Sequence, residues 1–87
     1  MEWERGCVVR SRAGRDKDCF LAVLAVEDDR LLVADGKSRP IERPKRKNVR
    51  HVAGTLTRLD EETLAANGRL RRALAGLNGG TETKQGG

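Results

Sequence analysis

The sequence predicts one small, mainly β domain, a strongly bent five-stranded barrel with a short helical extension at its C-terminus. Apolar runs in the first two thirds of the 87 residues are short and separated by turn residues, and the apolar period becomes helical after Leu59. Five short strands are too few for a two-sheet sandwich but suffice for a small barrel. A chain this short buries only about 60% of its unfolded surface, which leaves little room for a deep enzymatic cleft.

Three apolar runs predict the first three strands. They are GCVVRS, CFLAVLAV and RLLVA, separated by the loop RAGRDKD and the turn EDD. The second run is apolar on both faces, because alternate side chains of a strand point in opposite directions and Phe20 and Leu24 therefore oppose Leu21 and Val23. One face can fill the barrel, and the other needs a cover.

The fourth and fifth strands are predicted from turn residues. Asp35-Gly36 favours a tight hairpin turn, because both central residues of such a turn need a positive φ. The fourth strand is then KSRPI, and it must be short or lie at an edge because Pro40 and Pro44 lack backbone donors. A fifth strand is expected over residues 49–56, after a basic loop.

The helical part is expected to begin at Asp60, a favourable N-cap residue. Glu61 and Glu62 suit the positive end of a helix dipole, and Leu59 with Leu64 has the spacing of a hydrophobic staple. The dipeptide NG at 67–68 would end this helix.

A second helix is predicted to begin near Arg69. Its stripe of Leu70, Leu74 and Leu77 is the cover that the second strand needs. Its arginines are either the solvated side of the helix or a second phosphate-binding patch; they are Arg69, Arg71 and Arg72. The chain then divides into a barrel over residues 1–56, a helical extension over 57–77 that packs on the barrel, and a disordered tail over 78–87.

Positive charge is concentrated in one segment. Residues 37–51 contain seven Lys or Arg against Glu42, a charge of +6, whereas the whole chain carries +5. Such a local field attracts a polyanion, either nucleic acid or an anionic membrane. The segment contains two prolines and no amphipathic helix that could insert, so nucleic acid is favoured and no membrane partner is expected.

Several other classes of function are not expected. Cys7, Cys19 and His51 lack the spacing of a metal site, and nothing indicates a cofactor or a nucleophile beside a histidine motif, so the protein is predicted not to be an enzyme. The start MEWERGCVV lacks the features of a signal peptide. We therefore expect a cytoplasmic protein with reduced thiols, and a monomer. The hairpin register places Ser11 opposite Cys19 and Cys7 opposite about Val23, so the two cysteines are not expected to form a disulfide.

Residues 6–26, GCVVRSRAGRDKDCFLAVLAV, resemble a KOW motif. The matching positions are Gly6, Val9, Gly14, Lys17 and Val23. The segments ADGKSRP and PKRKNVRH are similar to the continuation in small bacterial KOW-domain RNA-binding proteins, related to KOW-containing large-subunit ribosomal proteins of archaea and eukaryotes. The resemblance covers about residues 5–54. It implies an SH3-like barrel that binds RNA on or beside the ribosome, with ribosomal RNA and ribosomal proteins as partners.

The chain departs from that motif at Asp18, where the motif usually carries a glycine. The Asp18 carboxylate either repels phosphate or pairs with Arg15 or Lys17 and orients it.

The predicted RNA-binding residues come from two segments expected to converge, since a barrel returns its last strand to its first. They are Arg12, Arg15, Lys17, Arg43, Lys45, Arg46, Lys47, Asn48, Arg50 and His51. The cations would contact phosphates, while Asn48 and His51 would hydrogen-bond a base or a 2′-OH.

The alternative function is a protein-interaction module that docks a peptide or a transcription or translation partner. It requires an exposed aromatic groove, and Trp3 and Phe20 are the only aromatic residues. Trp3 itself either packs against the barrel end or stacks on a base.

Overall fold

A computed structural model describes residues 3–14 and 17–86, with side chains through residue 77. Within these residues one antiparallel sheet is followed by two helices. The strands are β1 (Cys7–Ser11), β2 (Phe20–Glu27), β3 (Arg30–Ala34), β4 (Lys45–Asn48) and β5 (Val52–Arg58). The helices are α1 (Glu61–Leu64) and α2 (Asn67–Gly86). The five strands lie in the order β4-β3-β2-β1-β5. The prediction of a mainly β chain with five strands and C-terminal helices is confirmed.

The hairpin of β1 and β2 has the predicted register. Val8 pairs with Ala22 and Val9 with Leu21, while the N–H of Ser11 donates to the carbonyl of Cys19 at 2.9 Å. This register places Cys7 and Cys19 at opposite ends of the paired segment, and both thiols are free. Their separation along the strands is too large for a disulfide without backbone movement.

The predicted hairpin at Asp35-Gly36 and the predicted strand KSRPI are wrong. The Oδ1 of Asp35 accepts hydrogen bonds from the N–H groups of Lys37 and Arg39, each at 2.8 Å. The N–H of Ile41 donates to Oδ1 of Asn67 at 2.8 Å. These side chains satisfy donors that a strand would direct to its neighbour, so residues 35–44 form an irregular connection. The fourth strand is the basic segment itself.

The fifth strand begins later than expected. A single turn of 3₁₀ helix, Val49–His51, precedes β5, and the Oδ1 of Asn48 caps it by accepting from the N–H of Arg50 at 2.8 Å. This short link carries the chain from one edge of the sheet to the other, where β5 pairs with β1 through Val9 and Gly54.

The two faces of the sheet pack into separate cores. The helix-side core consists of Val8, Ala22, Leu24, Ala34, Leu64, Leu70 and Leu74. The strand-side core consists of Val9, Leu21, Val23, Leu31, Val33 and Val52. Leu77 is partly buried against the first core, and Trp3 against the second. The leucine stripe therefore covers β2, and Trp3 packs against the sheet.

The helix start at Asp60 is confirmed. Its Oδ1 accepts from the N–H of Thr63 at 2.9 Å and from the hydroxyl of Thr63 at 2.7 Å. These bonds favour the charged carboxylate and hold the pKa of Asp60 below its usual value. The predicted staple residues Leu59 and Leu64 both belong to the helix-side packing.

The second helix differs from its prediction at both ends. α2 begins at Asn67 and its backbone runs through Gly86, past residue 77, where the predicted helical extension ends. Asn67 is held at the start because its Nδ2 donates to Oε1 of Glu42 at 2.8 Å. The side chains of residues 78–86 and the whole of residue 87 lie outside the described part, and the disordered tail predicted over residues 78–87 stays a prediction. Neither helix has the length and apolarity needed to cross a bilayer over the residues searched.

Candidate nucleic-acid interface

Two segments meet at one surface: the glycine loop, which follows β1 and is described over residues 12–14 and 17–19, and the basic segment of residues 45–51. The N–H of Arg12 donates to the carbonyl of His51 at 2.8 Å, and Nζ of Lys47 donates to the carbonyl of Ala13 at 3.2 Å. A pocket of about 260 Å³, here called the basic pocket, lies between the two segments. It is lined by Ala13, Gly14, Lys45, Arg46, Lys47, Asn48 and His51.

The cations of β4 do not share one environment, because β4 is a strand and not the predicted loop. Lys45 stands opposite Val33 and Lys47 opposite Leu31, so both lysines point to the face that carries the strand-side core. Arg46 points to the other face and is exposed. The alternation of the strand therefore divides three adjacent cations between two faces.

Lys47 differs most from its predicted role as a phosphate contact. Its relative exposure is 6%, and its ammonium group donates to the carbonyl of Ala13. A buried ammonium must be hydrogen-bonded, and this bond ties the glycine loop to β4. We therefore assign Lys47 to positioning the loop.

Arg46 is engaged in an ion pair at the surface. Its Nε donates to Oε1 of Glu27 at 3.0 Å, and both side chains are about half exposed. Such surface pairs contribute little to stability, so a phosphate group can compete with Glu27 for the guanidinium. The pairing of Arg46 with Glu27 has no local signal in the sequence, because it depends on the order of β2, β3 and β4 in the sheet.

Asn48 and His51 line the pocket with different hydrogen-bonding capacities. The Oδ1 of Asn48 already accepts from the N–H of Arg50, which leaves its amide as a donor. His51 is exposed, and its carbonyl holds Arg12 while its imidazole offers a donor and an acceptor. A neutral donor and an imidazole beside cations suit contacts with base edges or a 2′-OH.

The remaining predicted residues lie around this pocket or outside the described chain. Arg12 and Lys17 are exposed on the loop, and Arg50 is exposed on the 3₁₀ turn. Arg43 is exposed in the irregular connection before β4, and it does not line the pocket. Arg15 lies outside the described residues.

The backbone of the loop explains one feature of the resemblance. Gly14 has a φ of +87° and Asp18 a φ of +71°. Left-handed backbone suits glycine, and aspartate tolerates it at some cost in energy. Asp18 thus has a backbone conformation that suits glycine, which is the residue that the resembled motif usually carries there. Its carboxylate makes no ion pair with Lys17, and the alternative partner Arg15 is not described.

A search for metal-binding groups over the described residues finds no cluster of three or more His, Cys, Asp or Glu side chains. Comparison of the chain with models of known protein families and with curated proteins finds no match.

Proposed function

We propose that this chain is a KOW-type RNA-binding module that holds structured RNA, ribosomal or ribosome-associated, in the basic pocket. The observation that carries the proposal is the convergence of Lys45, Asn48 and His51 with the glycine loop at Gly14. Lysine and arginine side chains around the pocket contact phosphates, and the amide and imidazole groups contact a base or a 2′-OH. The proposed setting is the cytoplasm.

The proposed architecture is an SH3-like barrel. Three features support it: five short strands, the placement of β5 beside β1, and the single 3₁₀ turn that links β4 to β5. Trp3, which precedes β1, and Val49, in the turn between β4 and β5, both pack against the strand-side core.

The leading glycine supports the KOW assignment. Gly6 has a φ of +98°, and a Cβ at this position would lie 2.7 Å from the carbonyl oxygen of Leu59. Its N–H donates to Val23, and its carbonyl accepts from the N–H of Leu59, each at 2.8 Å. Any side chain here would disturb the junction between the sheet and α1, so this position requires the glycine with which the motif begins.

Crosslinking of the protein to RNA in cells, followed by sequencing of the RNA and mapping of the crosslinked peptides, tests the proposal. We expect enrichment of ribosomal RNA and crosslinks within residues 12–18 and 45–51. RNA recovery equal to that of an uncrosslinked sample would contradict RNA binding, and enrichment of other structured RNAs alone would contradict the ribosomal assignment.

The alternative of a protein-interaction module has one observation in its favour. Leu56 on the edge strand β5 is fully exposed, whereas Trp3 and Phe20 both pack against the cores. The variant Leu56→Ser separates the two functions in the same crosslinking experiment. An RNA yield that falls with Leu56→Ser and not with Lys45→Ala would favour docking to a protein.

A further inference from the structure

A second and larger pocket lies on the helix side of the sheet. Its volume is about 620 Å³, and it is a cleft that is lined by α2, the start of β2 and the irregular connection after β3. Cys19 borders this pocket, whereas Ala13 and Gly14 border the basic pocket. Both sites therefore adjoin the same connection between β1 and β2.

The second pocket combines an apolar floor with a cationic rim. Phe20, Leu74 and Ala75 form the floor, and Leu74 belongs to the helix-side core. The rim carries three cations, Lys37, Arg71 and Arg72.

The lining contains one carboxylate, that of Asp35, and it already accepts hydrogen bonds from the backbone. Its Oδ1 accepts hydrogen bonds from the N–H groups of Lys37 and Arg39. These bonds fix the shape of the connection that lines one side of the pocket. Three cations against this one carboxylate leave an excess of positive charge at the rim, which favours an anionic ligand.

The rim cations have donors available for a ligand. Over the described residues, neither Lys37 nor Arg71 forms a side-chain hydrogen bond or ion pair with another residue. Arg72 makes one long bond, from Nε to the carbonyl of Gly68 at 3.4 Å. A guanidinium whose N–H groups are not engaged by other residues can bind a phosphate through two parallel hydrogen bonds.

We infer that this pocket binds a nucleotide, with its base against Phe20 and its phosphate at Lys37 and Arg71. Apolar and aromatic surfaces accept the faces of bases, and arginine accepts phosphate. The volume falls within the range of about 300–1,000 Å³ that is usual for sites of small ligands. The nucleotide comes either from the bound RNA strand, in which case the inference rests on the proposed function, or from the free pool.

Mapping of amide chemical shifts on the ¹⁵N-labelled full chain tests the inference. The probes are AMP, inorganic phosphate and a single-stranded oligoadenylate of about ten nucleotides. We expect AMP to shift the amides of Phe20, Lys37 and Ser38, and Arg71→Ala to weaken that binding by about tenfold. Arg69→Ala is the matched control, because Arg69 is exposed on the same helix and does not line the pocket.

The probes separate the two sources of the nucleotide. Shifts around Phe20 with the oligonucleotide support a nucleotide of the RNA strand. Shifts there with AMP alone support a free nucleotide, even if no RNA binds the basic pocket and the proposed function fails. If neither AMP nor the oligonucleotide shifts these amides, the inference is overturned, whether or not RNA binds the basic pocket. It is also overturned if inorganic phosphate produces the same shifts, because the base would then contribute nothing.

Discussion

The two faces of the sheet are both apolar, but they are covered in different ways. The helix-side core is covered by leucines of α1 and α2, which follow the sheet in sequence. The strand-side core is covered by residues of the sheet's own strands and links, such as Val52 and Val49, and Lys45 and Lys47 of β4 share its face. Both faces therefore stabilise the fold, but only the strand-side face carries lysines of the basic pocket, and the buried Lys47 belongs both to that face and to the pocket.

Removing a leucine from the helical cover should have the largest effect on stability. Leu70 is fully buried in the helix-side core and does not line either pocket. Leu70→Ala should lower the free energy of unfolding by about 3 kcal/mol, because it deletes buried methyl groups and leaves a cavity. Urea denaturation measures this change. RNA affinity of the folded protein should stay the same, and an unchanged unfolding midpoint would mean that α2 does not pack on the sheet.

The two lysines of the strand-side face should respond differently to substitution. Lys47→Ala removes a buried hydrogen bond to the glycine loop and should lower the free energy of unfolding by about 1–2 kcal/mol. Lys45→Ala removes a half-buried cation from the pocket and should change it by less than about 0.5 kcal/mol. The same denaturation experiment compares them. Equal destabilisation by both variants would contradict the positioning role of Lys47.

Replacing Asp18 by glycine should relieve strain in the loop. Asp18→Gly should raise the free energy of unfolding by about 1 kcal/mol, because glycine adopts a φ of +71° without the steric cost. It should also strengthen RNA binding, because it removes an exposed carboxylate from the glycine loop. Asp18→Asn is the matched control, because it removes the charge and keeps a side chain at the strained position. If Asn stabilises the fold as much as Gly does, charge and not strain is the cause.

The smallest effect is expected at the start of α1, in the helical cover. Hydrogen bonds from Thr63 lower the pKa of Asp60, so this carboxylate stabilises the fold above its unfolded pKa. That contribution is lost as the pH falls through the lower pKa of the folded state. Asp60→Asn keeps the capping acceptor and removes the titration, so its stability should fall less below about pH 4. Identical pH profiles for parent and variant would exclude this contribution of Asp60.

The sequence predicts those parts of the fold that depend on local patterns. Short apolar runs bounded by turn residues identified β1, β2 and β3, the N-cap pattern identified Asp60, and the helical period identified the leucine cover. Each signal lies within a few residues of the structure that it predicts. The hairpin register also followed, because the length of its loop fixes which residues pair.

The fourth strand could not be predicted in this way. β4 reads KRKN, so its alternation between two faces is hidden in a run of polar residues. The connection before it is fixed by Asn67, which lies 26 residues beyond its partner Ile41. The burial of Lys47 and the contact of Arg46 with Glu27 both follow from the pairing of β4 with β3. Because this pairing has no local signal, the sequence predicts the same role for all the cations of the segment.

The central claim is that the cations around the basic pocket bind RNA phosphates, and the salt dependence of RNA affinity tests it most directly. If about five phosphates are neutralised, the slope of log K against log salt on single-stranded RNA should be near −3.5 for the parent protein. A variant with alanine at Lys45, Arg46 and Arg50 should bind more weakly and show a slope shallower by about 2.

The control variant carries alanine at Arg5, Arg58 and Arg69, which removes the same charge away from the pocket. Arg58 pairs with Cys7, at the end of β1 and β5 opposite to Ser11 and the glycine loop. We expect the control to keep the slope of the parent. The claim is contradicted if the pocket variant keeps the affinity and slope of the parent, or if both variants lose them equally.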